Sequence, residues 1–159
     1  MADSRKTEKR KVKISSIEIT TSCHATENCE KVINALKNLV PSLLRDSLKI
    51  KINNMSGYYG NDIAILTSRI DDESSILKVL NYISEKLEPI EKNILRITFK
   101  LRYDSSKRKF VIRFSKQDLV NEKLKIIDTD DIIKLTIFFR NTRNAKEVET
   151  YLAELGILS

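Results

Sequence analysis

Residues 109–115 alternate between two kinds of side chain, and this alternation constrains the fold more than any other stretch of the chain. The two sets are Phe110, Ile112 and Phe114, and Lys109, Val111, Arg113 and Ser115. Because successive side chains of a β-strand point to opposite faces, the segment predicts a strand with an apolar face and a basic face. The apolar face belongs in a core.

The remaining apolar patterns predict an α+β chain. Alternating stretches rich in β-branched residues predict strands at residues 12–20, 48–54, 63–70 and 132–139. Apolar residues at three- and four-residue spacing predict helices at residues 27–40, 72–88 and 144–155. Thr26 is the predicted cap of the first helix, and Gly156 closes the last. This order predicts a mainly antiparallel sheet.

Residues 89–103 fit two patterns. Strict alternation predicts a strand that includes Leu95, Ile97, Phe99, Leu101 and Tyr103. A helix with Pro89 in its first turn also fits, with apolar positions at Ile90, Ile94, Ile97 and Leu101. Both interpretations align basic residues: Arg96, Lys100 and Arg102 share a strand face, and Lys92, Arg96 and Lys100 share a helix face.

Positive charge is concentrated in residues 96–116, which hold eight Lys or Arg residues against one acid, Asp104. This net charge of +7 equals that of the whole chain. Localised basic surfaces attract polyanions by neutralising phosphates and releasing counterions, so we expect nucleic-acid binding. A solvated edge whose lysines block aggregation is the alternative. The candidate residues are Arg96, Lys100, Arg102, Lys107, Arg108, Lys109, Arg113 and Lys116.

The turn at residues 57–61 places two adjacent tyrosines between predicted strands. Tyr58 and Tyr59 are suited to stacking on bases or on partner side chains. Alternatively, Gly57 and Gly60 serve positive φ angles while one tyrosine packs against the sheet. The sequence supports both interpretations equally.

Few residues offer catalytic or metal-binding chemistry. Cys23 and Cys29 are too few for a disulfide scaffold, so we expect both to be reduced, with Cys29 a small core residue of the first helix. His24 is the only histidine, and no nucleophile–base pair or phosphate-binding glycine loop accompanies it. We therefore expect neither catalysis, nor a metal site, nor a cofactor.

The length of 159 residues suits one domain, predicted at residues 12–159. Residues 1–11 are almost wholly polar and basic, and we expect them to be disordered until a partner binds. No apolar run approaches the roughly 20 residues of a membrane span. A cytoplasmic location is therefore expected.

Three short motifs carry a family resemblance. They are His24-Ala25-Thr26-Glu27, Gly57-Tyr58-Tyr59-Gly60-Asn61 and Phe114-Ser115-Lys116-Gln117. In this order and at these distances, residues 12–140 resemble the archaeal family of predicted RNA-binding, exosome-associated proteins. The resemblance implies a fold like that of ribosomal protein L-five, an antiparallel sheet with helices packed on one side. It also implies a helix at about residues 89–101.

These features together predict a non-enzymatic RNA-binding protein, an accessory factor of the archaeal exosome or of other RNA-processing machinery. Lys116, Gln117, Tyr58, Tyr59 and the tail join the basic segment in the predicted RNA-binding surface. The alternative is a protein-interaction module whose basic surface steers assembly.

Overall fold

The structure, a computed structural model, describes residues 12–56 and 62–159. The predicted tail at residues 1–11 and the Tyr58–Tyr59 turn lie outside these ranges. A six-stranded antiparallel sheet has the strand order β2-β3-β1-β6-β5-β4. Its strands are β1 (Lys13–His24), β2 (Lys51–Ser56), β3 (Asp62–Ile70), β4 (Tyr103–Asp104), β5 (Lys109–Ser115) and β6 (Ile132–Arg140).

Seven helices lie within the described ranges. They are α1 (Cys29–Lys37), α2 (Ser42–Arg45), α3 (Glu73–Lys86), α4 (Pro89–Ile97), α5 (Phe99–Arg102), α6 (Lys116–Val120) and α7 (Ala145–Glu154). The α+β prediction is therefore confirmed. None of these helices has the length and apolar composition that a membrane span requires.

One face of the sheet carries the core. β1 contributes Ile17 and Ile19, and β5 contributes all three apolar residues of its predicted inner face. The helices bury their apolar residues in the same cluster, among them Leu80 of α3 and Leu152 of α7. Each such side chain contributes about 1.5–3 kcal/mol when it leaves water. The helices thus pack on one side of the sheet, as expected.

Side-chain caps set where the helices begin. Asn28 accepts a hydrogen bond from the Glu30 amide, so α1 begins at Cys29 and not after the predicted cap, Thr26. Asp72 caps α3 by accepting from the Ser75 amide, and its hydrogen bonds with Ser75 hold the Asp72 pKa below its ordinary value. Gly156, with φ of 80°, ends α7 as predicted.

Residues 89–102 are helical, so the strand interpretation is wrong. Pro89 is the first residue of α4, and Thr98 separates α4 from α5 while its hydroxyl donates to the Ile94 carbonyl at 2.6 Å. The buried positions are Glu91, Leu95, Phe99 and Arg102. The buried face of α4 and α5 therefore differs from the apolar face that the helical spacing predicted. Three residues of that pattern are exposed: Ile90, Ile97 and Leu101.

The two cysteines form a disulfide bond, contrary to the expectation that both are reduced. β1 continues four residues beyond its predicted end and carries Cys23 to the start of α1, where Cys29 is the first helical residue. Cys29 is exposed and so is not a core residue, whereas Cys23 is buried. The short turn between the two elements brings their Cα atoms to 5.7 Å.

Candidate nucleic-acid interface

The sheet face opposite the core is the candidate interface, which we call the open face. Strand register determines its residues, because directly paired residues point to the same side of a sheet. Val111 and Arg113 of β5 pair with Thr136 and Lys134 of β6. Thr136 is buried, whereas Val111 and Lys134 are partly exposed and Arg113 is exposed, and none of the four belongs to the apolar core cluster. Of the two predicted faces of β5, the basic one is therefore the one that the helices leave uncovered.

A single row of residues crosses five strands of this face. Successive register pairs connect Lys51, Thr67, Thr20, Lys134 and Arg113, in that order from β2 to β5. We call this set the basic row. With neighbouring strands about 4.8 Å apart, its ends lie about 19 Å apart. Cations thus occupy both ends, and two threonines occupy the middle.

Two cations of the basic row face each other directly. Arg113 and Lys134 are register partners on adjacent antiparallel strands, an arrangement that destabilises a sheet when nothing compensates it. Neither forms an ion pair with a carboxylate in the described part of the chain. Lys13 and Arg140 form a second like-charged pair on the same face. Both pairs favour a bound anion.

Carboxylates compensate little of this charge. Of the described strand positions on the open face, Glu18 and Asp104 are the acidic ones, and seven are cationic: Lys13, Lys51, Arg69, Lys109, Arg113, Lys134 and Arg140. Asp104 lies opposite Lys109 but accepts hydrogen bonds from Ser106 and the Lys107 amide in its own turn. These hydrogen bonds hold the Asp104 pKa below its ordinary value, and the bond with the Ser106 side chain has the largest effect.

Lys109 and Arg113 are the cations of the open face that the sequence predicted, and the other five were not predicted. These five lie outside the basic segment, and strand pairing brings them together with it. For Lys134 the sequence did indicate a position on the face opposite the core, because Lys134 alternates with Ile133 and Leu135 of a predicted strand. The same alternation was present for Lys51, which lies between Ile50 and Ile52 of a predicted strand, although every residue of β2 is exposed.

Other predicted residues lie elsewhere. Lys107 and Arg108 are exposed in the turn between β4 and β5, where the Arg108 carbonyl accepts from the Phe139 amide at 2.8 Å. Arg96 and Lys100 are exposed on α4 and α5, in the helical layer. Arg96 donates to Asn93 at 2.8 Å. The basic segment therefore divides between the two layers and does not form one patch.

Arg102 is buried and paired. Its Nε donates to the Thr98 hydroxyl at 2.7 Å, and its Nη2 lies 3.8 Å from an Asp128 carboxylate oxygen. Burial lowers the pKa of Arg102, although Asp128 acts in the opposite direction. Its guanidinium contacts the loop that precedes β6. The burial of Arg102 argues against the phosphate contact that the sequence suggested.

Lys116 is also buried, with 4% of its surface exposed. Its Nζ donates to the Ser22 carbonyl at 2.8 Å and lies 3.2 Å from Glu27 Oε2 and 3.3 Å from Asp131 Oδ1. A buried cation needs such partners to offset its lost hydration. Lys116 therefore closes one end of the sheet, and its burial argues against the phosphate contact that the sequence predicted.

This contact joins two of the three motifs, because Glu27 belongs to the first and Lys116 to the third. Gln117 is exposed beside them and donates to Asp131 at 3.3 Å. Ser56 and Asp62, which flank the turn with the tyrosines, pair at the same end of the sheet. The turn itself lies outside the described residues, so the predicted roles of Tyr58 and Tyr59 stay predictions.

The fold and the open face define an α+β sheet protein with one covered face and one basic face. The chain belongs to the family described as RNA binding, whose model matches residues 16–139. This membership confirms the resemblance that the motifs carried.

Several archaeal proteins are similar to this chain. An uncharacterized protein of Methanocaldococcus jannaschii is 27% identical over 148 residues, which cover 90% of this chain and 99% of that protein. A protein of Pyrococcus abyssi named RNA-binding protein is 29% identical over 128 residues, 80% of this chain and 82% of that one. A solved structure from Sulfolobus solfataricus has a TM-score of 0.71 at 27% identity, covering 89% of this chain and 96% of that one.

Proposed function

We propose that this protein binds RNA through the open face of its sheet and has no catalytic activity of its own. The observation that carries the proposal is the direct pairing of Arg113 with Lys134, two cations that no described carboxylate neutralises. Family membership and the name of the Pyrococcus relative support RNA as the polyanion.

Binding through these cations draws its free energy from phosphate neutralisation. Each phosphate contact releases counterions, so affinity falls with salt by a slope of about 0.7 to 0.9 per contact on logarithmic axes. Lys109, Arg113 and Lys134 lie on the adjacent strands β5 and β6 and form the main cationic cluster of the proposed surface. Lys107 and Arg108 extend it at the β4–β5 turn. Gln117 and the two tyrosines are proposed to extend it at the opposite end.

A double charge reversal tests the proposal. The variant Arg113→Glu/Lys134→Glu should bind RNA at least about tenfold more weakly, and its salt slope should fall by about 1.4 to 1.8, since two phosphate contacts are lost. Fluorescence anisotropy titrations at about 50 and about 200 mM salt measure both quantities.

The matched control reverses two charges on the helical layer. Lys31 and Lys78 are exposed on α1 and α3, and Lys31→Glu/Lys78→Glu changes the net charge of the protein equally. This control variant should keep most of its RNA affinity, because the reversed charges lie on the helical layer and not on the open face. Equal losses of RNA affinity in the two variants would show that RNA is attracted by the net charge of the protein and not by a specific site. That result would contradict the proposal.

A second function, protein docking, is supported by the exposed apolar stripe on α4 and α5. Ile90, Ile97 and Leu101 are 64%, 67% and 88% exposed and lie on one side of the two helices. Arg96 and Lys100 flank the stripe. We infer that it fits an apolar groove with carboxylates at its rim, on a subunit of the exosome or of other RNA-processing machinery in the cytoplasm.

Disruption of the stripe separates docking from RNA binding. The variant Ile97→Asp/Leu101→Asp should lose the stoichiometric partner in an RNase-treated pull-down, yet keep its RNA affinity, because the open face is unchanged. Leu43→Asp is the control, since Leu43 is 79% exposed on α2 and outside the stripe. Retention of the partner by the stripe variant would eliminate this docking site.

A further inference from the structure

Hydroxyl groups occupy the middle of the basic row. Thr67 and Thr20 are direct register partners between Lys51 on one side and Lys134 on the other. Both threonines are partly exposed, and the Thr20 hydroxyl donates to Glu18 at 3.3 Å. With that proton engaged, the Thr20 oxygen can accept from a sugar hydroxyl, whereas the Thr67 hydroxyl can both donate and accept. It offers no ring on which a base could stack.

Sheets that bind single-stranded RNA place aromatic rings on the exposed face, where unpaired bases stack on them. On the open face of this sheet, Phe138 is the aromatic residue among the described strand positions. It lies opposite Lys109 and Ser16, away from the threonine pair and partly buried. The described face therefore provides cations and hydroxyls in place of a stacking platform.

The cations of the basic row lie in two groups, with the two threonines in the gap between them. Lys51 lies three strand spacings from Lys134, about 14 Å, and Arg113 lies one spacing further. Double-stranded RNA has a wide, shallow minor groove that displays 2′-hydroxyls between its two backbones. The threonine pair would face those hydroxyls while the cations contact the backbones on either side.

We infer that the open face binds double-stranded RNA across its minor groove and recognises shape and 2′-hydroxyls, with little dependence on base sequence. This inference rests on the proposed function, since it names the class of RNA that the same face would take. It assigns Lys51 and the two threonines to the interface.

Three probes of one sequence test the inference: a blunt RNA duplex of about 16 base pairs, one of its single strands, and the matching DNA duplex. Anisotropy titrations with the full chain should give at least about tenfold tighter binding of the RNA duplex than of either other probe. The variant Thr20→Val/Thr67→Val, which keeps side-chain shape, should lose about three- to tenfold with the RNA duplex and little with the DNA duplex.

A second variant keeps the test valid if the valine variant fails to fold. Lys51→Ala removes an exposed side chain from an edge strand, and it should weaken the RNA duplex more than the single strand. Equal or tighter binding of the single strand would overturn the inference and leave the proposed function standing. Failure to bind any of the probes, or binding that Arg113→Glu/Lys134→Glu leaves unchanged, would overturn the proposed function itself.

Discussion

Individual charged residues have roles that their position in the sequence does not reveal. Arg102 and Lys116 belong to the basic segment with Arg113, yet both are buried with carboxylate partners, whereas Arg113 is exposed. The difference arises from the elements on which they lie. Arg102 lies in a helix that packs on the core, and Lys116 begins a helix that closes the sheet end. Arg113 lies on a strand with an open face.

Removal of Lys116 should destabilise the fold. Lys116→Met leaves the Ser22 carbonyl and two carboxylates without their donor, at a cost of about 2 kcal/mol after allowance for the partial exposure of Glu27 and Asp131. Urea unfolding should show a lower midpoint with an unchanged slope. Gln117→Ala, a change at the exposed neighbour, should have little effect. A Lys116→Met midpoint equal to that of the unmodified chain would refute this structural role.

Among the helices and strands, local patterns predicted element type well and burial less well. β5 lies at its predicted residues, because strict alternation over seven residues has few other interpretations. The sequence of α4 and α5 was ambiguous, since its isoleucines and leucines fit both the two-residue period of a strand and the 3.6-residue period of a helix. Leu95 and Phe99 belong to the core cluster, and Glu91 is buried on the same side because its carboxylate accepts from the buried Ile126 amide at 3.0 Å. Such a tertiary contact leaves no local trace in the sequence.

A pair of leucine substitutions tests which side of these helices is buried. Leu95→Ala should cost about 2–5 kcal/mol of unfolding free energy, because Leu95 is fully buried and its removal leaves a cavity. Leu101→Ala should change stability by less than about 0.5 kcal/mol, since Leu101 is 88% exposed. Chemical denaturation of both variants measures the difference. The opposite order of costs would mean that α4 and α5 pack by the face that the helical pattern marked.

In the whole molecule, the sheet separates two surfaces of different chemistry. The open face gathers cations from five strands, and the helical layer exposes the apolar stripe with Arg96 and Lys100. Charge in the sequence predicted a polyanion partner, but register decides which cations share a face. Lys51 and Arg113 are 62 positions apart in the chain and lie in one row of the sheet. Pairing between distant strands could not be inferred from local patterns.

Photo-crosslinking of RNA to the full chain, with mapping of the modified peptides, would show whether RNA binds the open face. Adducts are expected on the open face, in peptides that contain residues 109–115 and 132–140, and they should be lost in Arg113→Glu/Lys134→Glu. The helices α1 and α3 should remain unmodified. Adducts confined to the helical layer, obtained with protein that is demonstrably bound, would show that RNA does not bind the open face.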